Sequence, residues 1–133
     1  LLGLNTDRLG VLGAELVTNG DGSTTTGWPV ADATISADGS LIVTSTAAWG
    51  KAYQAITTVA EKSYQVFCTA AANGRFAVGT TIGGEQLMTA KASGTAVFTA
   101  TGTTSYINLL AYSATVGTVA RFDNISVKEA TVS

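Results

Sequence analysis

Side chains that could perform catalysis are scarce in this sequence. It contains no histidine, a single cysteine and nine carboxylates that are dispersed along the chain. Without imidazole there is no Ser-His-Asp triad, no His-ligated zinc and no histidine to act as general base near neutral pH. The carboxylates show no spacing typical of a glycosidase acid and nucleophile pair. We therefore expect that the protein is not an enzyme.

Oxygen ligands for a cation are a second possible chemistry. Asn19, Asp21 and Ser23 alternate in a glycine-containing loop, as at the start of a calcium-binding loop. The match is partial, because Thr24 stands where such a loop has glycine and Val30 where it has glutamate. By itself this loop is a weak calcium motif.

A carboxylate near the other end of the chain strengthens the metal hypothesis. Asp123 has the same parity as Ile125 and Val127, which predicts that all three face inward from one strand. A buried carboxylate needs a partner, which would be a cation, backbone N–H groups or a hydroxyl. With a cation, Asn19, Asp21 and Asp123 are the predicted ligands of a structural Ca²⁺; without one, Asp123 belongs to a hydrogen-bond network.

Aromatic and amide side chains offer a third chemistry, the binding of sugars. An exposed Trp or Tyr ring suits the apolar C–H face of a sugar, and amides or a guanidinium can bond its hydroxyls. Each aromatic is equally a candidate for the core or rim of a small β-sandwich. The candidate ligand-binding residues are Trp28, Trp49, Tyr53, Gln65, Arg75 and Asn108.

The elements that must position these side chains are strands. Runs rich in Val, Ile, Thr, Tyr and Phe recur at roughly 8 to 12 residue spacing, which is typical of an antiparallel β-sandwich. Gly-containing pairs at 38–39, 73–74 and 83–84 predict tight turns, and the last two would make residues 63–91 a meander. We predict strands near residues 14–18, 33–36, 40–45, 51–58, 63–70, 75–82, 86–91, 95–101, 105–112 and 117–128.

Length and charge limit the organisation and the partners. The 133 residues fit one domain, which we place at 14–133 behind a short N-terminal arm at 1–13. The net charge of −2 and the scattered Lys and Arg exclude a basic surface for nucleic acid. No apolar run approaches the ~20 residues of a membrane span. The alternating pattern around Cys68 predicts a buried thiol.

The arm is rich in leucine yet interrupted by glycine, so it is neither a good helix nor a clean strand. It could lie along its own sandwich or dock on a neighbouring subunit, and we expect the latter to support a homo-oligomer. The first residue is Leu1, so the chain is either processed or a fragment of a longer protein.

Several segments, taken in order, resemble a known family. They are residues 15–21 (ELVTNGD), 27–28 (GW), 52–56 (AYQAI), 62–66 (KSYQV), 98–101 (FTAT) and 122–129 (FDNISVKE). Together they resemble the carbohydrate-binding-module-like jelly rolls of the galactose-binding-like superfamily, especially the copies in bacteriophage tail fibres and virion surface proteins. The resemblance covers about residues 14–130, although Gly22 stands where the family has an apolar or aromatic residue.

The resemblance implies a two-sheet sandwich, frequently with a structural calcium near the chain ends and, in enzyme-associated relatives, with a glycan site on the concave sheet. Our leading hypothesis is a non-catalytic virion surface module, a fibre or capsid decoration domain, that is made in the host cytoplasm. Its partners would be host glycans, other virion proteins and copies of itself, as a trimer by analogy with phage fibres. The alternatives are a carbohydrate-binding module of a secreted glycoside hydrolase and a structural assembly protein without a ligand.

Overall fold

The structure, a computed structural model, describes residues 11–131. This part of the chain forms eleven strands and contains no helix, so no helix in it could span a membrane. The strands are β1 (Val11–Glu15), β2 (Val30–Ala31), β3 (Ala33–Ala37), β4 (Leu41–Ser45), β5 (Lys51–Thr57), β6 (Ser63–Ala72), β7 (Gly74–Gly79), β8 (Met88–Lys91), β9 (Gly94–Thr99), β10 (Thr104–Ala111) and β11 (Val119–Thr131).

The strands pair into two antiparallel sheets, which confirms the predicted all-β jelly-roll sandwich. Sheet A has the order β3-β4-β11-β6-β9, with β1 as an additional partner of β11. Sheet B has the order β2-β5-β10-β7-β8. The long strand β11 organises sheet A, because its first residues pair with β4, its last residues pair with β1, and its other edge pairs with β6.

The core lies between the two sheets and follows from strand alternation. In β6, Tyr64, Val66 and Cys68 are buried against sheet B, while Gln65 and Phe67 face outward. The largest fully buried apolar side chains of the other strands are Leu41, Val43, Phe76, Val78, Ile107, Leu109, Phe122 and Val127. The fold is thus specified mainly by apolar residues at every second position.

The segment between β1 and β2 closes one end of the sandwich through polar side chains. Gln54, on β5, accepts a hydrogen bond from the amide of Thr18 at 2.7 Å and donates to the carbonyls of Thr18 and Gly27, both at 3.0 Å. Trp28 is buried in the core, and its Nε1 donates to the carbonyl of Asn19 at 2.9 Å. These contacts tie the segment to sheet B.

The turns agree only in part with the sequence. β3 and β4 form the predicted hairpin, with Gly39 at φ 101°. The predicted meander at 63–91 is wrong, because β6 belongs to sheet A and β7 to sheet B, so the chain crosses between sheets at Gly74. A Cβ on Gly74 would lie 3.1 Å from the ring of Phe122, which explains why glycine stands at this crossing.

Strand β11 differs from its predicted pattern at a β-bulge. The pairing with β6 shifts between Asp123 and Ser126, and Asn124 adopts φ 52°. Phe122 is therefore buried before the bulge and Ile125 after it, and the parity of inward-facing residues changes. The prediction that Asp123 faces inward with Ile125 is wrong for this reason: its carboxylate accepts the amide of Asn124 at 2.7 Å on the outside of sheet A.

The start of the sandwich also differs from the sequence boundary. β1 begins at Val11 and pairs with the end of β11, so the last residues of the predicted arm belong to sheet A. Residues 1–10 lie outside the described residues, and with them lies most of the arm.

Candidate functional site

The outer face of sheet B carries side chains from three neighbouring strands. β5 and β10 place Tyr53 opposite Asn108 and Lys51 opposite Leu110, and β7 places Arg75 on the other side of Leu110. Because alternate residues of a strand share a face, these side chains line one surface, directed away from the core. Three of the predicted ligand-binding residues, Tyr53, Arg75 and Asn108, are thus brought to one face.

A loop, residues 80–87, crosses the centre of this face. The fully buried Asn108 holds it: Oδ1 accepts the amide of Gly83 at 2.9 Å, and Nδ2 donates to the carbonyl of Gly84 at 2.9 Å and to a second loop carbonyl at 3.4 Å. A Cβ on Gly83 would lie 2.8 Å from Lys51 Cδ, so the loop rests on that side chain. The loop divides the face into two aromatic ends.

The first end combines two exposed aromatic rings with a cation. Trp49 precedes β5 and packs edge-on against Tyr112 with ring centroids 5.5 Å apart, and the guanidinium of Arg75 lies 5.2 Å from the centre of the Tyr112 ring. Trp49 and Tyr112 remain 49% and 39% exposed. Within residues 11–131 no carboxylate pairs with Arg75, so its N–H groups can serve a ligand. We call these three residues the aromatic end.

The backbone of Trp49 is strained. Its φ of 58° lies in the left-handed region, which costs a bulky residue about 1 to 2 kcal/mol. The amide of Trp49 donates to the carbonyl of Ser113 at 3.0 Å, which fixes this conformation. Strain of this kind concentrates at binding sites, and here it presents a large ring to solvent.

The second end is a pair of tyrosines. Tyr53 and Tyr106 pack edge-on with ring centroids 6.4 Å apart, and both are half-buried. Tyr106 lies six residues before Tyr112, about 20 Å along an extended strand. The two ends are therefore separate surfaces.

The other predicted ligand-binding residues do not join this site. Trp28 is 2% exposed, so the prediction that it is a sugar platform is wrong; its ring closes the core. Asn108 shares the face of Tyr53, but its side-chain amide is hydrogen-bonded to the loop and is 0% exposed. It therefore cannot contact a ligand while the loop is in place. Gln65 lies on the outer face of sheet A, on the opposite side of the sandwich.

A shallow depression of about 490 Å³ lies at the rim of sheet A, where the segment after β1 meets the bulge of β11. We call it the rim depression. Its lining comprises Glu15, Val17, Asn19, Gly20, Asp21, Phe67, Asn124, Ile125, Ser126 and Lys128.

The predicted calcium ligands converge only in part. Asn19 and Asp21 line the rim depression, whereas Asp123 is not among its lining residues. Residues 11–131 hold no group of three or more Cys, Asp or Glu side chains that could bind a metal ion. The ammonium of Lys128 at the same depression opposes a cation. Backbone carbonyl oxygens also serve as Ca²⁺ ligands, so calcium binding stays a prediction.

Two ionisable groups near the bulge have shifted pKa values. The hydroxyl and then the amide of Ser23 donate to Asp21 Oδ1, which lowers the pKa of that carboxyl. Burial raises the pKa of the Cys68 thiol, and the negative charge of Asp123 adds to the increase. Because the thiolate is the reactive form of cysteine, the raised pKa makes Cys68 a poor nucleophile.

The six candidate ligand-binding residues do not include Tyr112 and Phe67. Phe67 alternates with the buried Val66 and Cys68, so its parity already places it outside the sandwich. Tyr112 shares the parity of Tyr106 but follows the end of β10, and nothing local in the sequence indicates its contact with Trp49.

Comparison with known proteins supports the fold. No family model and no curated protein matches the sequence. Among solved structures, the Stig cyclase Fisc from Fischerella sp. TAU has a TM-score of 0.62 at 11% identity, over 92% of this chain and 100% of that chain. The CBM22-1 xylan-binding domain of Paenibacillus barcinonensis Xyn10C has a TM-score of 0.59 at 14% identity, over 95% and 99%.

A phage protein shares the same architecture. The enzymatically active domain of bacteriophage CBA120 tailspike protein 4 has a TM-score of 0.62 at 13% identity, over 86% of this chain and 21% of that chain. At these identities the similarities show the fold alone, since one jelly roll supports many functions.

Proposed function

We propose that this protein is a non-catalytic glycan-binding module whose primary site is the aromatic end of sheet B. The observation that carries the proposal is the exposed pair of Trp49 and Tyr112 with Arg75 beside it. The rings offer apolar faces to the C–H groups of a sugar, and the guanidinium donates hydrogen bonds to hydroxyls or to a carboxylate. The fold shared with a xylan-binding domain supports this interpretation.

The loop at 80–87 limits which glycans fit. Because it covers Asn108 and rests on Lys51, a polysaccharide cannot lie straight across the outer face of sheet B while the loop is in place. The aromatic end therefore suits a short glycan or the end of a longer one.

A glycan array followed by titration tests the proposal. Trp49→Gly should weaken binding of the best array ligand by about fivefold or more, which corresponds to about 1 kcal/mol. Glycine relieves the positive φ of Trp49 while removing its contact with Tyr112, so the two effects on folding oppose each other and the melting temperature should change little.

The matched control is Val97→Ala, which trims an exposed apolar side chain on sheet A. It should leave the affinity unchanged. Absence of any ligand on a broad array, or equal affinity of Trp49→Gly and the unaltered protein, would contradict the proposal and favour a structural module without a glycan ligand.

We further propose that the module is displayed on a virion surface, as a fibre or capsid decoration domain produced in the host cytoplasm. The sequence resemblance and the fold shared with a phage tailspike support this. A carbohydrate-binding module of a secreted glycoside hydrolase is the alternative, and the xylan-binding domain supports it equally. Mass spectrometry of purified virions should detect the chain; a parent polypeptide that carries a hydrolase domain would favour the alternative.

A further inference from the structure

We propose that the rim depression is a second ligand site, specific for a neutral pyranose sugar and independent of the aromatic end. It lies on sheet A, on the other side of the sandwich from Trp49. Its volume of about 490 Å³ falls within the range of small-molecule sites.

The polar groups at the depression include both donors and acceptors. Oδ2 of Asp21 and Oδ1 of Asn19 accept no hydrogen bond within residues 11–131, and the side-chain amide of Asn124 and the Lys128 ammonium make none there. A cation needs acceptors only, and an anion needs donors only. A sugar hydroxyl both donates and accepts, so this mixed set suits a polyol.

An exposed aromatic ring also lines the rim depression. Phe67 points outward from β6, is 37% exposed and lines the depression beside the bulge of β11. Its apolar face is suited to the C–H groups of a pyranose, while the polar groups around it serve the hydroxyls.

The walls of the depression are held by hydrogen bonds. Glu15 Oε2 accepts the amides of Val17 at 3.1 Å and Val127 at 2.8 Å, and the amide of Ile125 donates to the carbonyl of Gly20 at 2.8 Å. The Asn19 amide nitrogen donates to a backbone carbonyl at 2.9 Å. A site fixed in advance loses little entropy when it binds a ligand.

Saturation-transfer difference NMR with methyl glycosides of glucose, galactose and mannose tests the proposal. The protein should give a transfer signal with at least one of them at millimolar concentration, and Trp49→Gly should retain it. Asn124→Gly and Phe67→Ala should each weaken this binding by about fivefold or more. Asn124→Gly is suitable because glycine adopts φ 52° without strain.

Controls separate this site from the aromatic end and from calcium. Val97→Ala should bind as the unaltered protein does, and EDTA or added Ca²⁺ should not change the signal. Absence of a signal with all three glycosides in Trp49→Gly, an unchanged affinity in Asn124→Gly, or loss of binding in EDTA would each overturn the proposal. If the aromatic end binds no glycan, the rim depression should still bind the glycosides, because its binding does not depend on Trp49.

Discussion

At the scale of single residues, polar side chains close the sandwich and decide what remains free for a ligand. Gln54 joins the segment after β1 to sheet B, and Asn108 joins the loop at 80–87 to the same sheet. Asn108 is one of the predicted sugar-binding residues, yet both side chains are buried and engaged within the protein. Their contribution is therefore to stability, and the proposed glycan site depends on the exposed aromatics instead.

Replacement of Gln54 by alanine should destabilise the protein by about 2 to 3 kcal/mol, because it removes three hydrogen bonds and leaves backbone groups of Thr18 without partners. The matched variant is Gln65→Ala, the same change on the outer face of sheet A, where the side chain makes no hydrogen bond within residues 11–131. It should change stability by less than about 0.5 kcal/mol. Urea unfolding measures both; equal losses would contradict the bridging role of Gln54.

The raised pKa of the Cys68 thiol should make stability depend on pH in alkaline solution. The unfolded thiol ionises above about pH 8.5, whereas the buried thiol keeps its proton, so the unfolded state binds fewer protons. The contribution of the buried thiol to the free energy of unfolding is complete below that pH, and it falls by up to about 1.4 kcal/mol per pH unit above it.

Urea unfolding between pH 8 and pH 10 measures the effect. The control is Cys68→Ala, which cannot ionise at this position and should lose less stability per pH unit than the unaltered protein. Parallel pH profiles for the two proteins would show that burial does not suppress ionisation of the thiol.

At the scale of elements, strand spacing predicted most of the sandwich. The alternation in β6 correctly separates Tyr64 and Val66 from the outward residues, and the hairpin at Gly39 forms. What the sequence did not predict depends on long-range pairing. The crossing at Gly74 resembles a hairpin turn locally, and only the pairing of β7 with β10 shows that the sheet has changed.

The bulge in β11 explains why the candidate site was predicted only in part. A bulge adds one residue to one strand, so it reverses the parity on which the inward placement of Asp123 relied. Similarly, the sequence could not distinguish the buried Trp28 from the exposed Trp49, because both occur at borders between loop and strand. Burial of Trp28 depends on the segment between β1 and β2, which is held in place by residues that are distant in the sequence.

The segment after β1 and the bulge of β11 should be able to contact each other only with glycine at position 20. A Cβ there would overlap the carbonyl oxygen of Ile125, whose amide in turn donates to Gly20. Gly20→Ala should therefore destabilise the protein by about 3 kcal/mol or more. Gly102→Ala, with no atom within 4 Å of the added Cβ, is the matched control and should change stability by less than about 1 kcal/mol. Thermal unfolding compares the two, and similar melting temperatures would contradict close contact at Gly20.

At the scale of the whole molecule, the two sides of the sandwich have different chemistry. The outer face of sheet B offers aromatic rings and Arg75, whereas the rim of sheet A offers amides, a carboxylate and Phe67. If both proposed sites bind sugars, one module would connect two glycan chains, or a glycan and a neighbouring subunit in the proposed assembly. Repetition of weak sites in an assembly raises the overall affinity without new contacts.

The apolar N-terminal residues predict that the protein associates with itself. Large apolar side chains at Leu1, Leu2, Leu4 and Leu9 would leave much apolar area in water, at ~25 cal/mol per Å², unless another surface covers them. We expect the full chain to form a homo-oligomer, a trimer by analogy with phage fibres, and a variant without residues 1–10 to be monomeric. This truncation keeps β1, which begins at Val11, so the sandwich should melt at a similar temperature.

Light scattering coupled to size exclusion measures the mass of both proteins. A full chain that is monomeric at high concentration would refute self-association of the isolated protein. An oligomer that survives the truncation would place the interface on the sandwich itself, where Phe67 and Val97 are exposed on sheet A. In that case Phe67→Ala should weaken assembly as well as sugar binding at the rim depression, whereas Trp49→Gly, on the opposite sheet, should leave assembly unchanged.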